Sequence, residues 1–250
     1  MSTALDFDPD GHEAESGIRQ VIHNTITRHP RSQQTRIGPS EAGHPCDRFI
    51  LHRLHGDRPD ERGDRWRPTV GTALHSWMEH AFTAAADAES IPRWQTEQRV
   101  TCFYLPDGTP ITGSVDLYDH ATGTVTDFKF VSQTRIKEAR ANGPSEQYRR
   151  QVHQYGGGWM LAGHTVERVA IYYIPRDGLL TDSYYWCEPF NPDLWQDTAN
   201  RVQTLWRDLQ RLGIEQALAE HDYCSDRWCK FCTSEKPQPT LGETIANHIK

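Results

Sequence analysis

Between residues 71 and 85, Leu74, Trp77, Met78, Ala81 and Phe82 recur at i, i+3, i+4, i+7 and i+8. That spacing predicts a helix with one apolar stripe. After Pro92 the period shortens. Segments near 96–104, 111–118 and 124–131 read as three strands, with Asp107-Gly108 and Ala121-Thr122-Gly123 supplying the turns. A helix is predicted over 145–162, with Tyr148, Val152, Tyr155 and Trp159 on one face. Two more strands follow at Val169–Ile174 and Ser183–Cys187. Pro192 then starts a long helix with Trp195, Val202, Leu205, Trp206, Leu209 and Leu212 as its buried stripe. Upstream, a helix is expected over 16–29, Ser40 as the cap of a short helix carrying Cys46, Phe49, Ile50 and Leu54, and an exposed charged loop over 56–69. The order predicts an α/β fold, a central mixed sheet flanked by helices.

The chain has 250 residues, enough for one sizeable α/β domain or at most two small ones. Residues 1–15 are polar, acidic and without periodicity and are expected to be disordered; 233–250 form a polar tail. Mean hydropathy is −0.75, and no apolar run approaches the length of a membrane span. The N-terminus lacks the basic and apolar regions of a signal peptide, so a cytoplasmic protein is expected. Net charge is −7, against a protein that coats DNA nonspecifically but compatible with a local basic groove. Arginines cluster at Arg48, Arg53, Arg58, Arg62, Arg65 and Arg67, interleaved with acids. A second basic group comprises Arg135, Lys137, Arg140, Arg149 and Arg150. For the first cluster, a solvated face and a DNA contact are equally good readings.

The most informative stretch runs from Gly113 to Lys129. Two strands joined by a short turn present Asp116 and Asp127, which a hairpin can bring opposite each other. Such close carboxylates repel unless a cation sits between them, and oxygen ligands suit Mg²⁺ or Mn²⁺. Lys129 lies two residues beyond Asp127 and shares its strand face, where an ammonium can orient a water and stabilise phosphate charge. His75 and Glu79 share a helix face, as do Gln151 and Tyr155. An amide and a phenol side by side can contact a phosphate or the lysine. Gly156, Gly157 and Gly158 each cost about 1 kcal/mol inside a helix, which close approach of another group would explain.

Six cysteines in a cytoplasmic chain point to a metal or cluster rather than disulfides. Cys224, Cys229 and Cys232 fall within nine residues, and Cys46 is the natural fourth ligand. Spacing leaves zinc and iron–sulfur open; either would clip the N-terminal region to the C-terminal end. Cys102 and Cys187 read as buried strand residues.

Taken in order, Cys46 with Arg48, the G-x-x-x-H of Gly71–His75, the G-x-x-D of Gly113–Asp116, the D-x-K of Asp127–Lys129, the Q-x-x-x-Y of Gln151–Tyr155 and the three late cysteines resemble the RecB-like branch of the PD-(D/E)XK nucleases. More narrowly they resemble the iron–sulfur exonucleases of the CRISPR-associated Cas-four type and their phage-encoded relatives. The resemblance implies one restriction-endonuclease-like domain over 16–232, with a 4Fe-4S cluster on Cys46, Cys224, Cys229 and Cys232. It implies a catalytic Mg²⁺ or Mn²⁺ on His75, Asp116, Asp127 and the Phe128 carbonyl, Lys129 activating water, and Gln151 and Tyr155 contacting DNA and shaping the site. Glu79 and Glu97 are auxiliary acids without an assigned role, and Tyr148 or Trp66 is a candidate for stacking on bases. The close cysteine pair comes last here, whereas many relatives place it first. The expected activity is metal-dependent DNA exonuclease action on single-stranded ends, 5′ to 3′, in recombination, repair or phage replication. The alternatives are a nuclease trimming DNA before CRISPR integration, working with an integration partner, and a non-catalytic DNA-binding protein with a zinc or iron–sulfur clip. Some members of this group assemble into homo-oligomers.

Overall fold

The computed structural model describes residues 12–28, 36–59, 66–88, 90, 92–226 and 229–235. A first helix, α1 (His12–Arg28), starts earlier than expected, so residues 12–15 are helical; 1–11 and 236–250 lie outside the described residues. The expected short helix is two: α2 (Pro39–Ala42) and α3 (Asp47–His55). Gly38 rather than Ser40 precedes the first of them, and Pro39 opens it, where a missing N–H costs nothing. Cys46 caps α3 from outside, with extended backbone. The long helix α4 (Trp66–Asp87) begins within the region read as a loop.

Strands β1 (Trp94–Tyr104), β2 (Pro110–Asp119) and β3 (Thr124–Val131) form an antiparallel meander. Helices α5 (Gln133–Asn142) and α6 (Glu146–Leu161) then cross over to β4 (Arg168–Pro175), which pairs parallel to β3. Strand β5 (Tyr184–Pro189) returns antiparallel. The result is one five-stranded mixed sheet in the order β1-β2-β3-β4-β5. The chain ends in α7 (Pro192–Leu212), α8 (Ile214–Ala219) and α9 (Lys230–Glu235). No helix among the described residues is long and apolar enough to cross a membrane.

The main core lies between the sheet, α6 and α7, and includes Val115, Val125, Val152, Trp159, Val169, Ile171 and Val202, all fully buried. Helix α6 is enclosed on several sides. A Cβ on Gly156 would meet Phe190, one on Gly157 would stand 2.3 Å from the Trp195 ring, and one on Gly158 would stand 2.6 Å from Val100. The three glycines therefore admit side chains, not a ligand. Helix α4 packs on β1 and β3 through Met78 and Phe82, which meet Leu117, Phe128 and Ile174. Trp77, expected in its buried stripe, is 65% exposed. At about 100° per residue the apolar arc of α4 is wider than the face the sheet covers, and that face centres near His75 and Phe82.

Helix α3 packs against α7, α8 and α9, drawing the N-terminal part of the chain to its end. Arg48 donates to the carbonyls of Leu218 (2.6 Å) and His221 (3.2 Å) and to Glu235 (2.7 Å). Arg201 of α7 donates to Asp47 and to the carbonyls of His44 and Pro45.

Candidate active site and thiolate centre

The ladder between β2 and β3 runs only from Asp119↔Thr124 to Leu117↔Thr126. The next positions outward are Asp116 and Asp127, so both stand where the hairpin strands part. Asp127 continues into the β3–β4 ladder opposite Ile171. Asp116 is 9% exposed and Asp127 3%. Asp116 Oδ2 accepts the Phe128 N–H at 2.6 Å, and its Oδ1 is 3.2 Å from His75 Nδ1. The acceptor role of Asp116 ties the two strands together at the point where their pairing ends.

Glu97 completes a group with these residues. It lies on β1 between the pairs Thr96↔Leu117 and Gln98↔Val115, which sets it opposite Asp116. His75, Glu97 and Asp116 each bring one ligand atom within 4.8 Å of the other two. Glu97 also has φ +48°, and among the described residues it is the one non-glycine in the left-handed region. Such strain persists where surrounding structure enforces it and gathers at functional positions. The sequence placed Glu97 among auxiliary acids; its meeting with Asp116 needs the β1–β2 register, which spacing along the chain does not reveal. Glu79 is not in this group.

Asp127 meets a second group of partners. Its Oδ2 is 2.6 Å from Lys129 Nζ, and its Oδ1 accepts from Gln151 Nε2 at 3.2 Å. Gln151 Oε1 accepts from Lys129 Nζ at 3.1 Å, and Gln151 Nε2 also donates to Tyr155 OH at 3.1 Å. Lys129 Nζ lies 4.7 Å from the centre of the Tyr148 ring, over one of its faces. Trp66 is half exposed at the start of α4.

Burial pushes the Asp127 carboxyl up to about 6; the Lys129 charge opposes this and the Asp116 charge adds to it. Burial alone would lower Lys129, but the charge of Asp127 and its hydrogen bond raise it, so the ammonium is retained. His75 is raised for the same reason, its burial being outweighed by Asp116. Tyr155 is held well above the usual phenol range by burial and by the two aspartates, so it keeps its proton.

The structure thus brings Asp116, Asp127, Lys129, Gln151 and Tyr155 into one connected set, with His75 joined through Asp116. Glycine 113 explains part of the geometry: a Cβ there would stand 2.8 Å from Tyr155 Cε1 and 2.9 Å from Pro39 Cγ. The donor set of one imidazole nitrogen and two carboxylates suits a divalent cation of the Mn²⁺ or Mg²⁺ kind.

Several of the clustered arginines are paired within the fold. Arg48 and Arg53 are 7% and 4% exposed and pair with Glu235 and Glu41. Arg135 pairs with Glu138, Arg149 with Glu188, and Arg150 with Glu146 and Asp197. Arg140 donates to the carbonyls of Asp182 and Ser183. Arg62 and Arg65 lie outside the described residues.

Cys46, Cys224, Cys229 and Cys232 bring all four sulfurs within 4.8 Å of one another, with Cys46 Sγ 3.5 Å from Cys232 Sγ. Cys46, Cys229 and Cys232 are buried, forming a small cluster of their own with Phe49. Phe49 stacks on His44 at 4.0 Å and meets Phe231 edge-on, and Phe231 stacks on His52 at 4.2 Å. Backbone N–H groups of Phe49, Asp226 and Cys232 point at the sulfurs of Cys46, Cys224 and Cys229. Burial pushes the Cys229 thiol up to about 12, which a bound cation would reverse. Cys102 and Cys187 stand apart as free cysteines, Cys102 fully buried.

No family model matches the chain, and no curated protein matches it. Among solved structures it is similar to the alkaline exonuclease LHK-Exo from Laribacter hongkongensis. The complex of that protein with dAMP gives TM-score 0.49 at 13% identity, over 74% of this chain and 93% of that one. The same exonuclease on its own gives 0.44 at 12% identity, with the same coverage of each chain. A phage-related exonuclease from Haemophilus somnus 129PT gives 0.45 at 13% identity, over 69% of this chain and 80% of that one.

Proposed function

We propose that this protein is a metal-dependent nuclease that hydrolyses phosphodiester bonds at DNA ends, with Asp116, Asp127 and Lys129 as its catalytic residues. The observation that carries the reading is the set at the parted ends of β2 and β3. An imidazole and two carboxylates converge there, and a buried ammonium stands on the adjacent carboxylate. A divalent cation bound there supplies polarisation of a phosphoryl oxygen and an acidified water. His75, Asp116 and Glu97 would hold the ion, and Asp127 and the Phe128 carbonyl are the further ligands that the family resemblance implies. Lys129, retained as an ammonium, orients the attacking water and stabilises charge on the phosphate. Single-stranded ends, 5′ to 3′ polarity, and a cytoplasmic role in recombination, repair or phage replication complete the proposal.

The test is degradation of end-labelled single-stranded DNA with Mn²⁺ or Mg²⁺, comparing the intact protein with Asp127→Asn and Lys129→Ala. Both variants should lose cleavage by about 10²-fold or more, the size of losing one transition-state contact. No cleavage of any DNA end by metal-loaded wild type refutes the reading and promotes a non-catalytic DNA-binding protein. Copurification with an integrase would favour trimming of DNA before CRISPR integration, and a mass measurement in solution reads homo-oligomers.

The four cysteines form a thiolate centre that clips α3 to the end of the chain. A single tetrahedral ion with bonds of about 2.3 Å fits four sulfurs gathered this way. The 4Fe-4S cluster implied by the family resemblance would take the same four cysteines as its ligands. Metal content and visible absorption separate the two. Iron with sulfide and a brown colour establishes the cluster; stoichiometric zinc and a colourless protein establish the single ion.

A further inference from the structure

Gln151 holds together the two charged groups on which the nuclease reading depends. Its side chain is part of a residue 5% exposed, on the stretch of α6 enclosed by the sheet and α7. One end of its amide accepts from Lys129 Nζ at 3.1 Å; the other donates to Asp127 Oδ1 at 3.2 Å and to Tyr155 OH at 3.1 Å. An amide has two N–H donors and one carbonyl oxygen. Both donors are used, and the oxygen already serves the ammonium.

We infer that Gln151 is a positioning residue for Asp127 and Lys129, not a contact for DNA; this rests on the nuclease reading of the same site. A buried aspartate and lysine left alone would close into a simple ion pair, with the carboxylate free to rotate beneath the ammonium. Here the ammonium meets Oδ2 at 2.6 Å while Gln151 fixes Oδ1, so the carboxylate plane is set. Only a group that is donor and acceptor at once can serve an anion and a cation together. A glutamate would offer no donor and would add charge against Asp127. Flipping the amide would set its oxygen against the carboxylate and its nitrogen against the ammonium, so the electrostatics fix its orientation. Tyr155, one turn along α6, takes the second N–H. It is itself 7% exposed and held where Gly113 leaves room for its ring.

The experiment uses the full-length protein with Gln151→Met, close in size but with neither amide group, and Tyr155→Phe, which removes only the phenol oxygen. Three quantities are read: Mn²⁺ affinity without DNA by electron paramagnetic resonance, Kd for single-stranded DNA with Ca²⁺ in place of Mn²⁺, and kcat and KM for cleavage. A residue that orients a metal-site ligand costs roughly 10–100-fold in metal affinity or activity when removed. Gln151→Met should therefore weaken Mn²⁺ binding or lower kcat by that factor, leaving DNA Kd and KM within about twofold. Tyr155→Phe should shift the same quantities in the same direction by less. A weakened DNA Kd with Mn²⁺ affinity and kcat unchanged makes Gln151 a DNA contact and overturns the inference, as does no change in any of them. If wild type cleaves no DNA the nuclease reading fails, yet Mn²⁺ affinity still reports on what Gln151 does. If Gln151→Met does not fold, Tyr155→Phe decides.

Discussion

Two glycines in helices should respond to the same substitution with opposite signs. Gly157 lies in α6 and Gly71 in α4. Alanine favours a helix over glycine by about 1 kcal/mol at either position. At Gly71 a Cβ meets nothing within 4 Å, so that gain is unopposed. At Gly157 the Cβ would stand 2.3 Å from Trp195 Cε2 and Nε1 and 2.4 Å from Cδ2. Ordinary carbon contacts lie at about 3.5–4.0 Å, so the indole must retreat by more than about 1 Å. It is not free to do so, because Nε1 donates to the Cys102 carbonyl at 2.9 Å. Losing that bond costs about 1 kcal/mol. Overpacking adds about 1–3 kcal/mol. Set against the helix gain, Gly157→Ala should destabilise by about 1–3 kcal/mol. For a chain of this size each kcal/mol moves Tm by about 2–4 °C. Thermal unfolding followed by circular dichroism should then show Gly157→Ala several degrees below wild type and Gly71→Ala up to about 4 °C above it. A Gly157→Ala protein as stable as wild type would refute the packing account of the triple glycine. Gly71→Ala that is more stable but cleaves no DNA would show that this glycine leaves room for substrate.

Further outcomes are expected. On the proposed thiolate centre, Cys229→Ser should lower the metal-to-protein ratio and expose the ends of the chain to limited proteolysis while the sheet survives, because the cysteines and Phe49 form a cluster separate from the main core; an unchanged ratio would remove Cys229 from the ligand set. Gly113→Ala should lower kcat roughly tenfold by displacing Tyr155 from Gln151, the loss seen when a supporting group is moved; full activity would mean that Tyr155 can yield. Asp119 is held below the usual carboxylate range first by Arg93, which donates two hydrogen bonds at 2.9 and 2.8 Å, and then by Thr122 and the Ala121 N–H. A depressed carboxyl gives stability that is present above its unfolded pKa of about 3.9 and is lost as pH falls through the folded value. Arg93→Met should therefore be less stable than wild type in urea at pH 7, the difference vanishing under strong acid; a difference that persists there would mean that packing, not charge, is what Arg93 contributes.

The strands were legible because turn signals bracket them. Asp107-Gly108 and Ala121-Thr122-Gly123 sit at the two bends of the meander, and Gly108 and Gly123 both take positive φ there. β3 runs over the residues its alternation predicts, 124 to 131. Helix α5 was missed for a physical reason: only Ile136 and Ala139 of its ten residues are buried, too few to mark a period. Helix α4 was found, but its buried face was taken as centred on the apolar arc. The sheet covers instead the side carrying His75, which leaves Trp77 in solvent.

What spacing conveys in this chain is which residues share an element's face; what it omits is which partner each finds. Asp127 and Lys129 share a face two residues apart, and Gln151 and Tyr155 share one four apart, so both pairs were visible. That Gln151 reaches Asp127 and Lys129 depends on where α6 lies against β3, a relation set by core packing around Val152 and Trp159. Glu97 meets Asp116 only through the β1–β2 register. Arginines show the same limit from the opposite side. Their density along the chain left a solvated face and a DNA contact equally open, yet Arg48 and Arg53 are buried on acids far away in sequence or on another helix. A buried guanidinium requires a paired acid, so each such pair removes a positive charge from any DNA surface. On the proposed function, Arg48 and Arg53 are therefore withdrawn from DNA, and binding rests on the metal site and the cations that stay exposed. It should accordingly fall with salt less steeply than affinity built on many phosphate contacts, whose slope grows by about 0.7 per contact on single strands. A steep slope, measured as log Kd against log salt concentration, would show that the basic clusters do bind DNA.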